Sequence, residues 1–223
     1  MRGKLIVIEG TDCSGKNTQA KLVSKELESL GYKSVCLSFP MYDTPTGKIV
    51  GGALLGRKDV GKCLFPEGTV KVDPKISCLY YAADRKYNFP KVEKYLNDGY
   101  YVILDRYVSS NMAHQGSKID DNTERFNFFR WIDKLEYWLL ELPKPDITIY
   151  LHVPFRFTKE LMKNRPDLDQ VEKDEVHLIK SEQVYIELAE LYNWNIVNCV
   201  NQDYDCLKTP EEIKQEILEI IKK

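Results

Sequence analysis

The chain has 223 residues, 43% of them hydrophobic and 30% charged, with a formal net charge of −2. Such a chain suits one large domain with a packed core and excludes a disordered polymer. Lacking a basic surplus, it also excludes broad electrostatic capture of nucleic acid, while leaving room for a local basic pocket that takes a small anion.

In chain order, "KLIVIEG" is an apolar, β-branched run that stops at Gly10 and reads as a buried parallel strand. From Lys16 the period changes: Ala20, Val23, Leu27 and Leu30 line one face of a helix that Gly31 closes. "SVCLSF" is a second strand, and residues 56–72, "GRKDVGKCLFPEGTVKV", read as an exposed loop insertion. Asp73-Pro74 opens a helix toward Leu96 in which Pro90 predicts a kink or break. "YYVILD" is a strand, residues 122–142 an aromatic-rich helix, "DITIYLHV" a strand, 174–193 a helix and "NIVNCV" a last strand. Thr209-Pro210-Glu211-Glu212 is a capping box that starts a C-terminal helix carrying Ile213, Ile217, Ile220 and Ile221. Strands alternating with helices predict a doubly wound, parallel five-stranded α/β sheet with helices on both faces. Its ligands would bind at the carboxyl ends of the strands.

Six cysteines, at 13, 36, 63, 78, 199 and 206, form no CxxC pair and several lie in apolar runs. Buried, reduced thiols are expected. The apolar stretch before Glu9 is too short for a signal peptide or a membrane span, so a cytoplasmic protein is expected.

Gly10-x-x-x-x-Gly15-Lys16 has the spacing of a phosphate-binding loop. The glycines let backbone N–H groups turn onto phosphate oxygens, the following helix adds its positive end, and Lys16 supplies a mobile charge. The pattern is weak alone and strong between a strand and an amphipathic helix. Asn17 stands where a hydroxyl ligand for Mg²⁺ is usual, yet its carbonyl can also serve a hard cation, and Thr18 follows it. Asp105 ends a strand and can hold Mg²⁺ through water, while Arg106 behind it can bridge phosphates; a surface Asp-Arg pair capping the next helix is the alternative. Tyr81 and Arg85 share a helix face and could stack a base and bind its edge, or be core aromatic and solvated arginine.

The loop GxDxxGK, the Phe-Pro after the second strand, the helical AADR, DRY followed by SSN, and "LPKPD" before a strand together resemble the thymidylate kinase family of nucleoside monophosphate kinases. The resemblance spans about residues 4–220. It implies ATP and dTMP as substrates, Mg²⁺ as the cofactor, and a homodimer, with "RFNFFRWIDKLEYWLLEL" as a candidate surface or simply core. ATP phosphates would lie on Gly10, Cys13, Ser14, Gly15, Lys16, Asn17 and Thr18. Asp12 would meet the acceptor's sugar and phosphate, Phe39 and Tyr81 would flank the base, and Arg85 would bind its carbonyl. Arg106 would lie between the two phosphate groups. Ser110, Asn111, His114 and Gln115 would line the acceptor pocket, and Asn17 and Asp105 would serve the metal.

Three departures stand out. "SFPMYDTPTGK" lacks the family's phosphate-gripping arginine, leaving Tyr42 or Lys48 to serve. His114 occupies the place of a tyrosine that packs on the sugar, and Cys13 the place of a loop arginine found in some members. A lid within 161–175, "LMKNRPDLDQVEKDE", would then supply the cation through Arg165 or Lys163. A deoxynucleoside kinase using Asp43 as base, and a nucleotide-binding protein without turnover, are the rival readings.

Overall fold

The computed structural model describes residues 2–163, 171–203 and 205–222. Five parallel strands form one sheet: β1 (Leu5–Glu9), β2 (Ser34–Ser38), β3 (Tyr101–Asp105), β4 (Ile147–His152) and β5 (Asn195–Asn198), in the order β2-β3-β1-β4-β5. All five residues of β1 are buried, because helices cover both faces of this central strand. Its alternate side chains enter two cores. Leu5 and Val7 join Val102, Leu104 and Tyr150 under α3 (Pro74–Asn97), α4 (Val108–Gly116), α5 (Asn122–Asp133) and α7 (Glu175–Leu191). Ile6 and Ile8 join Ile103, Ile149 and Leu151 under α1 (Lys16–Ser29) and α8 (Pro210–Lys222). The fold is the doubly wound one the alternating pattern predicts.

Ile8 pairs with Asp105, so Glu9-Gly10 and Asp105-Arg106 leave the sheet side by side. That crevice is where an open α/β sheet binds its ligand. Arg106 turns sharply there with φ +70°, and its N–H bonds Ile8 O at 3.1 Å.

Several local expectations need correction. α3 runs through Pro90 without interruption, its Phe89, Val92 and Leu96 packed in the first core on both sides of the proline. Tertiary packing thus overrides the local cost of the missing N–H. Segment 56–72 is not a free insertion: Thr69 Oγ1 donates to Leu54 O at 2.5 Å, and Lys118 Nζ donates to Val72 O at 2.9 Å. A short helix α2 (Pro45–Lys48), continued by a wide turn over Ile49–Leu54, and α6 (Phe155–Lys163) were not legible. All six cysteines are free, but only Cys78 and Cys199 are fully buried, and Cys206 is exposed. The predicted capping box is present, with Thr209 N–H donating to Glu212 Oε2 at 2.7 Å.

Candidate active site

The loop after β1 is shaped by close contact. A Cβ on Gly10 would run into Ser14 Oγ and lie 3.0 Å from Leu151 O. Gly15, at φ +83°, takes the left-handed conformation just before α1 begins. Lys16 is buried and its ammonium donates to Thr11 O at 2.6 Å, so it lies back across the loop. Burial, with Arg106 nearby, pushes its pKa down to about 8. Ser14 Oγ is buried without a partner. Asn17 and Thr18 are both exposed on the first turn of α1. Asp105 Oδ1, at the end of β3, is buried without a partner.

Arg106 ties this loop to the far side of the crevice. Its Nη2 donates to Asp12 Oδ1; its Nη1 faces His114 Nε2 at 3.0 Å, Tyr185 OH at 3.2 Å and Ser110 Oγ at 3.3 Å. Burial alone would raise the Asp12 carboxyl, but the nearby Arg106 and then Lys16 outweigh it and hold Asp12 ionised well below the usual carboxylate range. His114 is pushed well below its ordinary value by burial and then by Arg106, so it is a neutral ring whose Nε2 accepts from the guanidinium. The ring stacks on His177 of α7 at 5.8 Å.

Beneath Arg106 lies Glu9, a completely buried carboxylate that sequence reasoning passed over. Oε1 accepts from Tyr107 N at 3.0 Å and Ser109 Oγ at 2.9 Å; Oε2 accepts from Ser110 Oγ at 2.6 Å and Tyr185 OH at 3.0 Å. One side chain at the end of β1 thus fixes the start of α4 and the middle of α7. The signal was available: an acid closing an apolar strand must find donors if it is buried.

The crevice opens into a cavity lined by Asp12, Phe39, Tyr42, Tyr81, Arg85, Arg106, Ser110, Asn111, His114 and Gln115, with Pro40, Leu55 and Val171 completing the wall. Every acceptor-site residue that the family resemblance assigns is on that wall. Arg85 is not solvated. Its Nε and Nη2 donate to Glu136 Oε2 and Oε1, both at 2.5 Å, in a pair whose side chains are 3% and 0% exposed. Asn111 Nδ2 shares Glu136 Oε1 at 2.9 Å. One residue earlier, Asp84 accepts from Met41 N at 3.0 Å and Thr46 Oγ1 at 2.8 Å, anchoring the segment after β2 to α3. Neither Glu136 nor Asp84 was marked as a site residue; each has its decisive partners far away in sequence, Arg85 51 residues from Glu136 and Met41 43 residues from Asp84.

Other residues fall elsewhere. Asp43 and Lys48 are exposed and off the cavity wall, whereas Tyr42 is on it. Arg165 lies outside the described residues, as do residues 164–170 of the segment read as a lid; Lys163 ends α6 and pairs with Glu160 at 2.6 Å.

A glycine loop and lysine delivered by the central strand, facing an arginine-walled cavity across the crevice, define a P-loop phosphotransferase. The thymidylate kinase family profile matches residues 8–210. The chain is 30% identical to a probable thymidylate kinase of Pyrococcus horikoshii over 100% of this chain and 97% of that one. It is 31% identical to the thymidylate kinase of Mesoplasma florum, covering 97% and 93% respectively. The solved thymidylate kinase of Candida albicans superposes with a TM-score of 0.71 at 28% identity, over 99% of this chain and 92% of that one. The chain belongs to the thymidylate kinase family.

Proposed function

We propose that the protein transfers the γ-phosphoryl group of ATP to the 5′-phosphate of dTMP, giving dTDP and ADP. One observation carries this reading beyond family membership. Arg106 touches Asp12 of the phosphate loop and Ser110 and His114 of the cavity wall at once, so a cation sits where two phosphate groups would meet. Phosphoryl transfer needs little covalent help from the protein; it needs positioning and charge neutralisation. The loop amides and Lys16 hold the ATP phosphates, with Cys13, Ser14, Asn17 and Thr18 beside them. Phe39 and Tyr81 take the base between them, and Arg85, oriented by Glu136, with Asn111 reads its edge. The acceptor phosphate is already ionised, so no strong base is required.

Mg²⁺ belongs to the same reading. Asp105 offers a buried, unpartnered carboxylate oxygen, and Asn17 an amide carbonyl on the exposed first turn of α1. Among the described residues no group of three or more His, Cys, Asp or Glu is gathered for a metal. That suits an ion held chiefly by phosphate oxygens and water. Bound there, it would neutralise charge on the β- and γ-oxygens. Residues 161–175 are proposed to close over ATP within a single kinase domain, with Arg165 meeting the transferring group. A cytoplasmic homodimer is proposed. In its support, among the described residues no helix is long and apolar enough to cross a membrane, and Ile76 and Leu79 of α3 and Trp138 and Leu139 after α5 expose apolar surface.

The deoxynucleoside kinase reading loses its base, since Asp43 is exposed and off the cavity wall. A coupled ADP-release assay over dTMP, dUMP, UMP, dCMP and thymidine decides between them. Turnover highest with dTMP and negligible with thymidine is expected; thymidine as the preferred acceptor, or binding without turnover, overturns the proposal.

A further inference from the structure

The acceptor phosphate brings a double negative charge into the cavity, and the wall must compensate it. Among the lining residues two are cationic, Arg85 and Arg106. Both already hold a carboxylate: Arg85 is locked to Glu136 inside the protein, and Arg106 to Asp12. A phosphate arriving beside them therefore needs a further cation whose own counter-ion is weakly held.

One such group comes from the segment read as an exposed insertion, held against a wall residue rather than on the wall itself. The guanidinium of Arg57 stacks on the ring of Tyr42, a wall residue, at 4.2 Å from its centroid. Arg57 gains from this ring and a hydrogen bond with it, on top of its bond to Asp59. The arrangement is built rather than incidental. Arg57 N–H donates to Gly51 O at 2.8 Å, and Gly61 N–H to Arg57 O at 2.8 Å, so its backbone is tied on both sides. A Cβ on Gly51 would come within 2.8 Å of Tyr42 Cδ1, so the tyrosine ring is packed against bare backbone. Arg57 Nε and Nη2 donate to Asp59 at 3.1 and 3.0 Å, but Asp59 is 65% exposed and Arg57 32%. An exposed pair of this kind is worth little and is readily exchanged. A guanidinium also carries more N–H donors than one carboxylate can take.

We infer that Arg57, held against Tyr42 by stacking, is the cation that grips the acceptor's 5′-phosphate, in the place where the chain carries no arginine directly after β2. The inference rests on the proposed dTMP kinase reading. Arginine suits the task because its planar fork meets phosphate oxygens with two parallel bonds while its face stays on the aromatic ring. Tyr42 is then a positioning residue.

Calorimetry of dTMP and of thymidine on wild type, Arg57→Ala, Arg57→Lys and Asp59→Ala tests it. Wild-type binding and turnover of dTMP bear on the parent reading; their absence sinks that reading and not the assignment within it. Given wild-type binding, Arg57→Ala should weaken dTMP roughly tenfold or more and leave thymidine unchanged, because only dTMP carries the phosphate. Arg57→Lys should recover part of the loss. Asp59→Ala should bind dTMP at least as well as wild type, with an unchanged KM for ATP. Arg57→Ala binding dTMP like wild type, or losing dTMP and thymidine equally, overturns the assignment, the second outcome revealing a merely structural prop for the wall.

Discussion

Glu136→Gln should be disproportionately damaging for so small a change. The Glu136 carboxylate accepts from Arg85 Nε and Nη2 at 2.5 Å each and from Asn111 Nδ2 at 2.9 Å, within an ion pair whose side chains are 3% and 0% exposed. A glutamine has one acceptor oxygen and one amide nitrogen. Either orientation points N–H groups at a guanidinium N–H, and the positive charge of the buried Arg85 loses its partner. Breaking a buried ion pair by removing one partner costs about 3–5 kcal/mol. For a chain of this size that lowers Tm by about 6–20 °C. Thermal unfolding and urea titration measure the loss, and dTMP KM should rise in parallel because Arg85 no longer keeps its orientation. Replacing both residues by methionine should recover stability relative to the single change, since the buried charge disappears, but not dTMP binding. A Glu136→Gln protein within about 0.5 kcal/mol of wild type would refute the claim that this pair is uncompensated by anything else.

Tyr81→Ala should raise the KM for dTMP about tenfold or more with little change in the KM for ATP, read in steady-state assays; an unchanged acceptor KM means the base stacks elsewhere. Lys16→Ala should abolish turnover while preserving the far-UV circular dichroism spectrum, and near-normal kcat would end the mechanism. Stability should fall as pH drops from about 6.5 toward 4. Burial pushes His177 down to about 4, so the unfolded chain takes up a proton over that window and the native state does not, with the buried His114 acting in the same direction. The stabilisation is fully present above the ordinary histidine pKa and amounts to about 3 kcal/mol for His177. Urea midpoints near neutral pH and near pH 5 measure it, and His177→Gln should flatten the slope.

What was legible in the sequence, and what was not, divides along the distance between partners. The phosphate loop is local: Gly10, Gly15 and Lys16 lie within one turn of chain, and their meaning follows from the strand before and the helix after. Helical spacing puts Tyr81 and Arg85 on one face, but their expected role at a base came from the family resemblance and not from the spacing. Glu136 was not legible, because its partner is 51 residues away and nothing in "DKLEYW" marks which acid turns inward. Glu9 was half-legible, an acid at the end of an apolar strand, but its donors come from α4 and α7. At Pro90 the expected break does not occur: the local rule is sound, and the core contacts of Phe89 and Val92 outweigh it. Asn17 and Cys13 departed from the family pattern, and the loop around them kept its turn, with Cys13 adopting φ +61°.

Tyr81, Asp84 and Arg85 occupy one turn of α3, lining the cavity, anchoring the segment after β2 and meeting Glu136. Inserting or deleting a single residue between Pro74 and Tyr81 would swing all of them by about 100° together. The length of that first stretch of helix is thus frozen by geometry. Changes in acceptor preference must come from swapping side chains, because shifting the register would dismantle the whole pocket in one step.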